Sequence, residues 1–79
     1  MHPAYERFMA MVMSQLEINQ ISHGDKDKNN SPATWAMIIG EHMGHLHGAL
    51  LAGDYYKVER EIFHIAAPLA DLFKSLTSK

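Results

Sequence analysis

Apolar residues return at helical spacing along this chain, and no stretch alternates with period two over a useful length. Between Pro3 and about Gln20, Tyr5, Phe8, Met9, Val12 and Leu16 recur every three or four positions and mark one buried face of a first helix. Met11 and Met13 thicken that surface, and the pliable methionine side chain suits core filling. The pattern then stops at "SHGDKDKNNSP", a polar stretch of turn formers that predicts a loop over residues 22–31.

A second helix is expected over 31–51. Ser31 is a good N-cap, Pro32 fits the first helical position, and Gly53 supplies the C-terminal cap. Its apolar stripe is Trp35, Ile38, Ile39, His42, Leu46, Ala49 and Leu50. A third helix is expected over 54–77, capped by Asp54, with Val58, Ile62, Ile65, Leu69, Leu72 and Leu76 as its stripe. Pro68 removes the amide that would bond the His64 carbonyl, so a kink or break between those residues is expected. The short "AGD" link makes the second and third helices antiparallel neighbours. The chain reads as one domain, residues 1–79, in the all-α class: a three-helix antiparallel unit.

The second helix carries another pattern. Ala36, Gly40, Gly44, Gly48 and Ala52 repeat every fourth residue, roughly opposite the Trp35–His42 stripe. An interior glycine costs a helix about 0.5–1 kcal/mol relative to alanine. Three of them in one helix call for an offset, and close approach of another helix would provide it. The favoured source is a second subunit, so the expected assembly is an oligomeric helical bundle. Its size gives the same indication: a chain of 79 residues buries only about 60% of its unfolded surface, and oligomerisation is one remedy.

Polar residues also stand where apolar ones are expected. At 100° per residue His42 falls near the centre of the second helix's stripe, His45 on its edge and Glu41 just beyond, while His47 falls toward solvent. On the third helix Lys57, Glu61, His64 and Pro68 occupy one edge of the stripe. H-x-x-H thus faces E-x-x-H across an antiparallel pair, the way helical bundles build metal sites. Taken alone, His42 would be a hydrogen-bonded core histidine and Glu61 a solvated or Lys57-paired carboxylate. Together they favour a shared site, because buried polar groups are costly unless paired or metal-bound.

Composition narrows the options. There is no cysteine, which excludes disulfides and thiolate metal sites. The net charge of −2 argues against an extended nucleic-acid-binding face. No apolar run approaches the ~18 residues that span a bilayer, so no membrane partner is expected. Glu6 and Arg7 precede the apolar part of the N-terminus and no A-x-A-like site follows, so a signal peptide is not expected and a cytoplasmic location is. The six histidines are the oddity, since histidine is the common metal ligand.

From Leu16 to Leu72 the chain resembles the MazG-like all-α nucleoside triphosphate pyrophosphohydrolases, especially small phage-type members. The resemblance lies in "NQISHGDKD", the single tryptophan of "SPATWAMIIGEHMGH", the "ALLAGD" link and "EREIFHIAAPLADL". The family pattern is E-E-x-x-E on one helix and E-x-x-D on the next. Here those positions read Glu41, His42, Met43, Gly44, His45 and then Glu61, Ile62, Phe63, His64. The resemblance implies a homodimer or homotetramer with its site near a subunit interface. It also implies Mg²⁺-dependent cleavage of a nucleoside triphosphate to monophosphate and pyrophosphate.

The departures alter the chemistry. Three of the four ligand positions are histidine: His42, His45 and His64, with Glu61 retained. Imidazole suits Mn, Zn, Ni or Co better than it suits Mg²⁺, which prefers oxygen ligands. The first reading is a divergent pyrophosphohydrolase using such a metal, with Glu41 and Glu61 as catalytic carboxylates. His23, Lys26, Lys28 and Lys57 would help to hold the nucleotide, and Trp35 is either plain core or a surface on which a base stacks. The alternatives are a catalytically inactive metal- or nucleotide-binding oligomer, and a purely structural helical assembly.

Overall fold

The computed structural model describes residues 1–27 and 29–77, and for Lys26 and Asp27 the backbone alone. The described residues form three helices and no strand: α1 Pro3–Asp27, α2 Pro32–Ala52 and α3 Tyr55–Thr77. The all-α expectation holds. Ser31 caps α2 by accepting a hydrogen bond from the Thr34 amide at 3.2 Å, and Pro32 follows it in the first turn.

The turn from α2 to α3 sets the site's register. Gly53 adopts φ 70° and ψ 20°, the left-handed conformation that glycine takes without strain. Its amide donates to the Leu50 carbonyl at 3.2 Å, and the Asp54 amide donates to that of Ala49 at 3.0 Å. These two bonds make a Schellman cap. Asp54 then starts α3, its Oδ1 accepting from the Lys57 amide at 3.1 Å. Two residues thus end one helix and begin the next, so α2 and α3 run back along each other and His42 meets Glu61.

Three expectations need correction. The first helix does not end near Gln20. It continues to Asp27 across a non-helical residue, His23, at φ −152° and ψ 31°. The polar residues 22–27 read as loop, yet a helix can present polar side chains to water, and no proline intervenes before Pro32. At Pro68, α3 does not break and stays helical from Tyr55 to Thr77.

The third correction concerns which line of α3 is inside. Of the expected stripe, Val58, Ile65 and Leu72 are half-buried and Ile62, Leu69 and Leu76 are exposed, whereas the supposed edge holds the buried residues Glu61 and Pro68, and Ala67 beside it is buried too. The buried face is thus turned toward the polar edge, where the histidines of α2 satisfy Glu61. Similarly, Tyr5 and Met9 of the expected α1 face are exposed, because α1 packs on α3 alone. Phe8 against Phe63, with ring centroids 5.6 Å apart, is one of its anchors. Among the described residues α1 and α2 share no close backbone approach, and a cleft separates them.

Candidate functional site

The site is built on Glu61. It is the one charged residue buried among those described, at 3% exposure. A buried carboxylate is costly unless it is paired, and three imidazoles surround this one. Glu61 Oε2 lies 2.8 Å from His42 Nδ1 and 3.6 Å from His64 Nδ1, and Oε1 lies 3.8 Å from His45 Nδ1. An ionised carboxylate only accepts, so in the 2.8 Å bond His42 Nδ1 is the donor. The rings are mutually close, with His42 centred 5.4 Å from His45 and 5.1 Å from His64.

Burial works to raise the Glu61 pKa. The His42 hydrogen bond and the charges of His42, His64 and His45 more than offset that, so the carboxyl is held below its ordinary value. The folded site therefore favours the anion.

His42, His45 and Glu61 offer ligand atoms that all lie within 4.8 Å of one another, so this cluster could hold a metal ion. Nitrogen and oxygen ligands about 2.0–2.2 Å from a tetrahedral ion stand roughly 3.4 Å from each other. The observed separations of 2.8, 3.6 and 3.8 Å bracket that value. His64 Nδ1 supplies a second sign of fit. It is buried, it faces the Glu61 carboxylate beyond hydrogen-bond reach, and it has no hydrogen-bond partner among the described residues. An orphaned buried nitrogen is uncommon and asks for an explanation. A fourth ligand to the same ion would satisfy it.

The centre opens on the cleft between α1 and the α2–α3 pair. A chamber of about 230 Å³ is lined by His42 and His64 together with Gln15, Asn19, His23, Trp35, Ile38 and Pro68. Trp35, 6% exposed, is both core and cleft wall.

The other expected site residues are scattered. His23 lines this chamber. Glu41 is exposed on α2 and belongs neither to the cluster nor to the chamber wall, and Lys57 is half-buried one turn before Glu61 and lines no part of the cleft. Lys28 lies outside the described residues, as does the side chain of Lys26. His47 is exposed, as expected.

His23 was expected here, but Gln15 and Asn19 of α1 were missed. Gln15, Asn19 and His23 form an i, i+4 ladder facing the cleft, and Gln15 Nε2 donates to Asn19 Oδ1 at 2.9 Å. A polar line at four-residue spacing beside Leu16 was the available signal.

Comparisons with protein-family models, curated proteins and solved structures give no match. No helix among the described residues is long and apolar enough to cross a membrane.

Proposed function

We propose that the His42–His45–Glu61–His64 centre holds a divalent transition metal ion and that the chain cleaves a nucleoside triphosphate beside it. The products would be the nucleoside monophosphate and pyrophosphate. The observation carrying this reading is a buried carboxylate ringed by three imidazoles at the wall of a cleft. The reaction itself comes from the sequence resemblance to MazG-like enzymes. Three nitrogen donors and one carboxylate favour Mn, Co, Ni or Zn over Mg²⁺. Such an ion, when bound, polarises a phosphoryl oxygen and acidifies water. Glu61 anchors the centre, His42 and His64 present it to the cleft, and His23, Gln15 and Asn19 line the approach.

One observation favours a second reading, a binding module without turnover. Glu41, the spare carboxylate wanted as a base, is exposed and stands apart from the cluster. The two readings separate on one preparation, purified without a histidine tag or added metal. Bound metal is measured first, then pyrophosphate release from a nucleotide panel with Mg²⁺, Mn²⁺, Co²⁺ and Zn²⁺. Turnover with Mn²⁺ or Co²⁺ and little with Mg²⁺ is expected. Metal binding with no turnover leaves the module, and binding of neither metal nor nucleotide removes both.

We also infer a homo-oligomer. The chain exposes 5840 Å², against roughly 4,800 Å² for a compact monomer of its mass. The excess of about 1,000 Å² is near the ~800 Å² that each partner contributes to a standard interface. The radius of gyration of 13.3 Å exceeds the roughly 11.6 Å of a compact chain of this length. No large side chain is fully buried, while Met37 is 76% and Leu51 90% exposed. An added Cβ at Gly40, Gly44 or Gly48 would meet nothing within 4 Å among the described residues, so none of these needs them to be glycine. A cytoplasmic location goes with this reading.

A further inference from the structure

The cleft has a second, larger chamber that the metal centre does not use. Its volume is about 390 Å³, within the range of small-molecule sites. Trp35 and Leu16 form an apolar wall, and the rest is polar: Asn19, Gln20, Asp25, Asn30, Asp71, Lys74 and Ser75. Asn19 and Trp35 line both chambers, so the larger one adjoins the smaller, which His42 and His64 line.

The irregularity of α1 shapes this chamber. The chain leaves helical geometry at His23, and Gly24 and Asp25 beyond it line the wall. Gly24 is buried, and a Cβ there would stand 2.5 Å from Gln20 Nε2. The missing side chain thus lets the Gln20 carboxamide lie back along the helix in the wall.

We propose that the larger chamber seats the nucleoside half of the ligand and selects a base with an exocyclic amine over one with a carbonyl in its place. This rests on reading the histidine centre as the phosphate end. Among the described lining residues two carboxylates stand against one lysine, which favours amine hydrogens over phosphate. Asp25, Asn30, Asp71 and Lys74 each have an interaction of their own. A carboxylate keeps acceptor capacity beyond a single partner. The indole face of Trp35 suits a planar ring, while asparagine and glutamine amides read base edges, and aspartate accepts from the cytosine amine.

The experiment uses nucleosides without phosphate, in chelator, with the full chain. Trp35 is the single tryptophan and lines both chambers, so its fluorescence reports binding in the cleft, the carboxylate variants locate it in the larger chamber, and calorimetry provides an independent measure. The matched pairs are cytidine against uridine and adenosine against inosine, each differing by amine for carbonyl. The amine-bearing member should bind at least tenfold more tightly. Asp71→Asn and Asp25→Asn, each checked for helicity by circular dichroism, should narrow that ratio to within about threefold. Equal affinity within each pair in the wild type, or no binding of any nucleoside at millimolar concentration, overturns the proposal. Discrimination unchanged in both folded variants overturns the role given to the carboxylates. The metal reading fails independently, by absence of bound metal, because nucleoside binding here needs neither metal nor turnover.

Discussion

Glu61→Gln separates two opposing effects at the centre of the site. Neutralising a buried carboxylate removes a desolvation cost, which stabilises; it also removes the charge that His42 bonds at 2.8 Å, which destabilises. The lowered Glu61 pKa decides the sign, since the folded site favours the anion more than water does. The glutamine oxygen can still accept from His42, so a charge-assisted bond of ~1.5–3 kcal/mol falls to a neutral one of ~0.5–1.5 kcal/mol. The His64 and His45 nitrogens, at 3.6 and 3.8 Å, lie beyond hydrogen-bond reach and add little. The net loss is about 1–2 kcal/mol. Seventy-nine residues at ~2.1 cal/mol/K each convert that to a fall in Tm of roughly 6–12 °C.

The assay is thermal unfolding followed by circular dichroism, in chelator, at matched protein concentration, from pH 6 downward. A carboxyl whose pKa is lowered on folding contributes stability that is complete above its ordinary value of 4.5. That contribution is lost as pH falls through the lowered folded value. The gap between wild type and variant should therefore be full at pH 6 and close in acid. A variant as stable as the wild type at pH 6 would show that desolvation outweighs the imidazoles and refute the reasoning. A gap that widens in acid would refute it too.

Other consequences can be measured on the same material. Gly53→Ala should lower Tm by roughly 6 °C, because an alanine at φ 70° costs about 1 kcal/mol although its Cβ meets nothing; Gly53→Asn should cost less. Gly44→Ala should stabilise an isolated chain by about 0.5–1 kcal/mol, since the added methyl touches no atom of its own chain. If sedimentation instead shows that Gly44→Ala weakens self-association, a second helix lies on that face. Metal binding should weaken as pH falls, because only an unprotonated imidazole nitrogen and an ionised carboxylate can serve as ligands. Calorimetry at pH 8 and at pH 5.5 measures this, and equal affinity at both would refute ligation by the histidines.

The helices were legible in the sequence wherever local chemistry determines them. Ser31 with Pro32, Gly53 and Asp54 each act at one position, through bonds to atoms within four or five residues, so their roles can be read without knowing the fold. The extent of α1 was not legible, because polar residues 22–27 satisfy a loop and a solvent-facing helix equally well. Pairing of His42 with Glu61 was readable because two i, i+3 patterns meet across a two-residue turn. The α1 wall was not, since α1 and α2 are not joined by a capped two-residue turn of the kind that Gly53 and Asp54 make. What brings α1 in is its contact with α3, a long-range choice that periodicity does not encode.

The misread stripe of α3 bears on function. Periodicity counts apolar side chains and assigns the richest line to the core, which selected Val58, Ile62, Ile65, Leu69, Leu72 and Leu76. In the folded chain Val58, Ile65 and Leu72 stay half-buried, Ile62, Leu69 and Leu76 face outward, and the line holding Glu61, His64 and Pro68 is turned inward. A protein that needed only a core would do the reverse, because each buried polar group must be matched by another. This turn of the helix makes sense if the polar line is kept inside for its chemistry and the exposed apolar residues are covered by something outside the chain. On α2, His42 joins Trp35 and Ala49 on the inner face, while Met37, Leu51 and three glycines are exposed. On the proposed homo-oligomer, the buried polar cluster and the uncovered apolar surface would be two results of one arrangement: a protomer that gives part of its interior to the site would draw part of its stability from a neighbour.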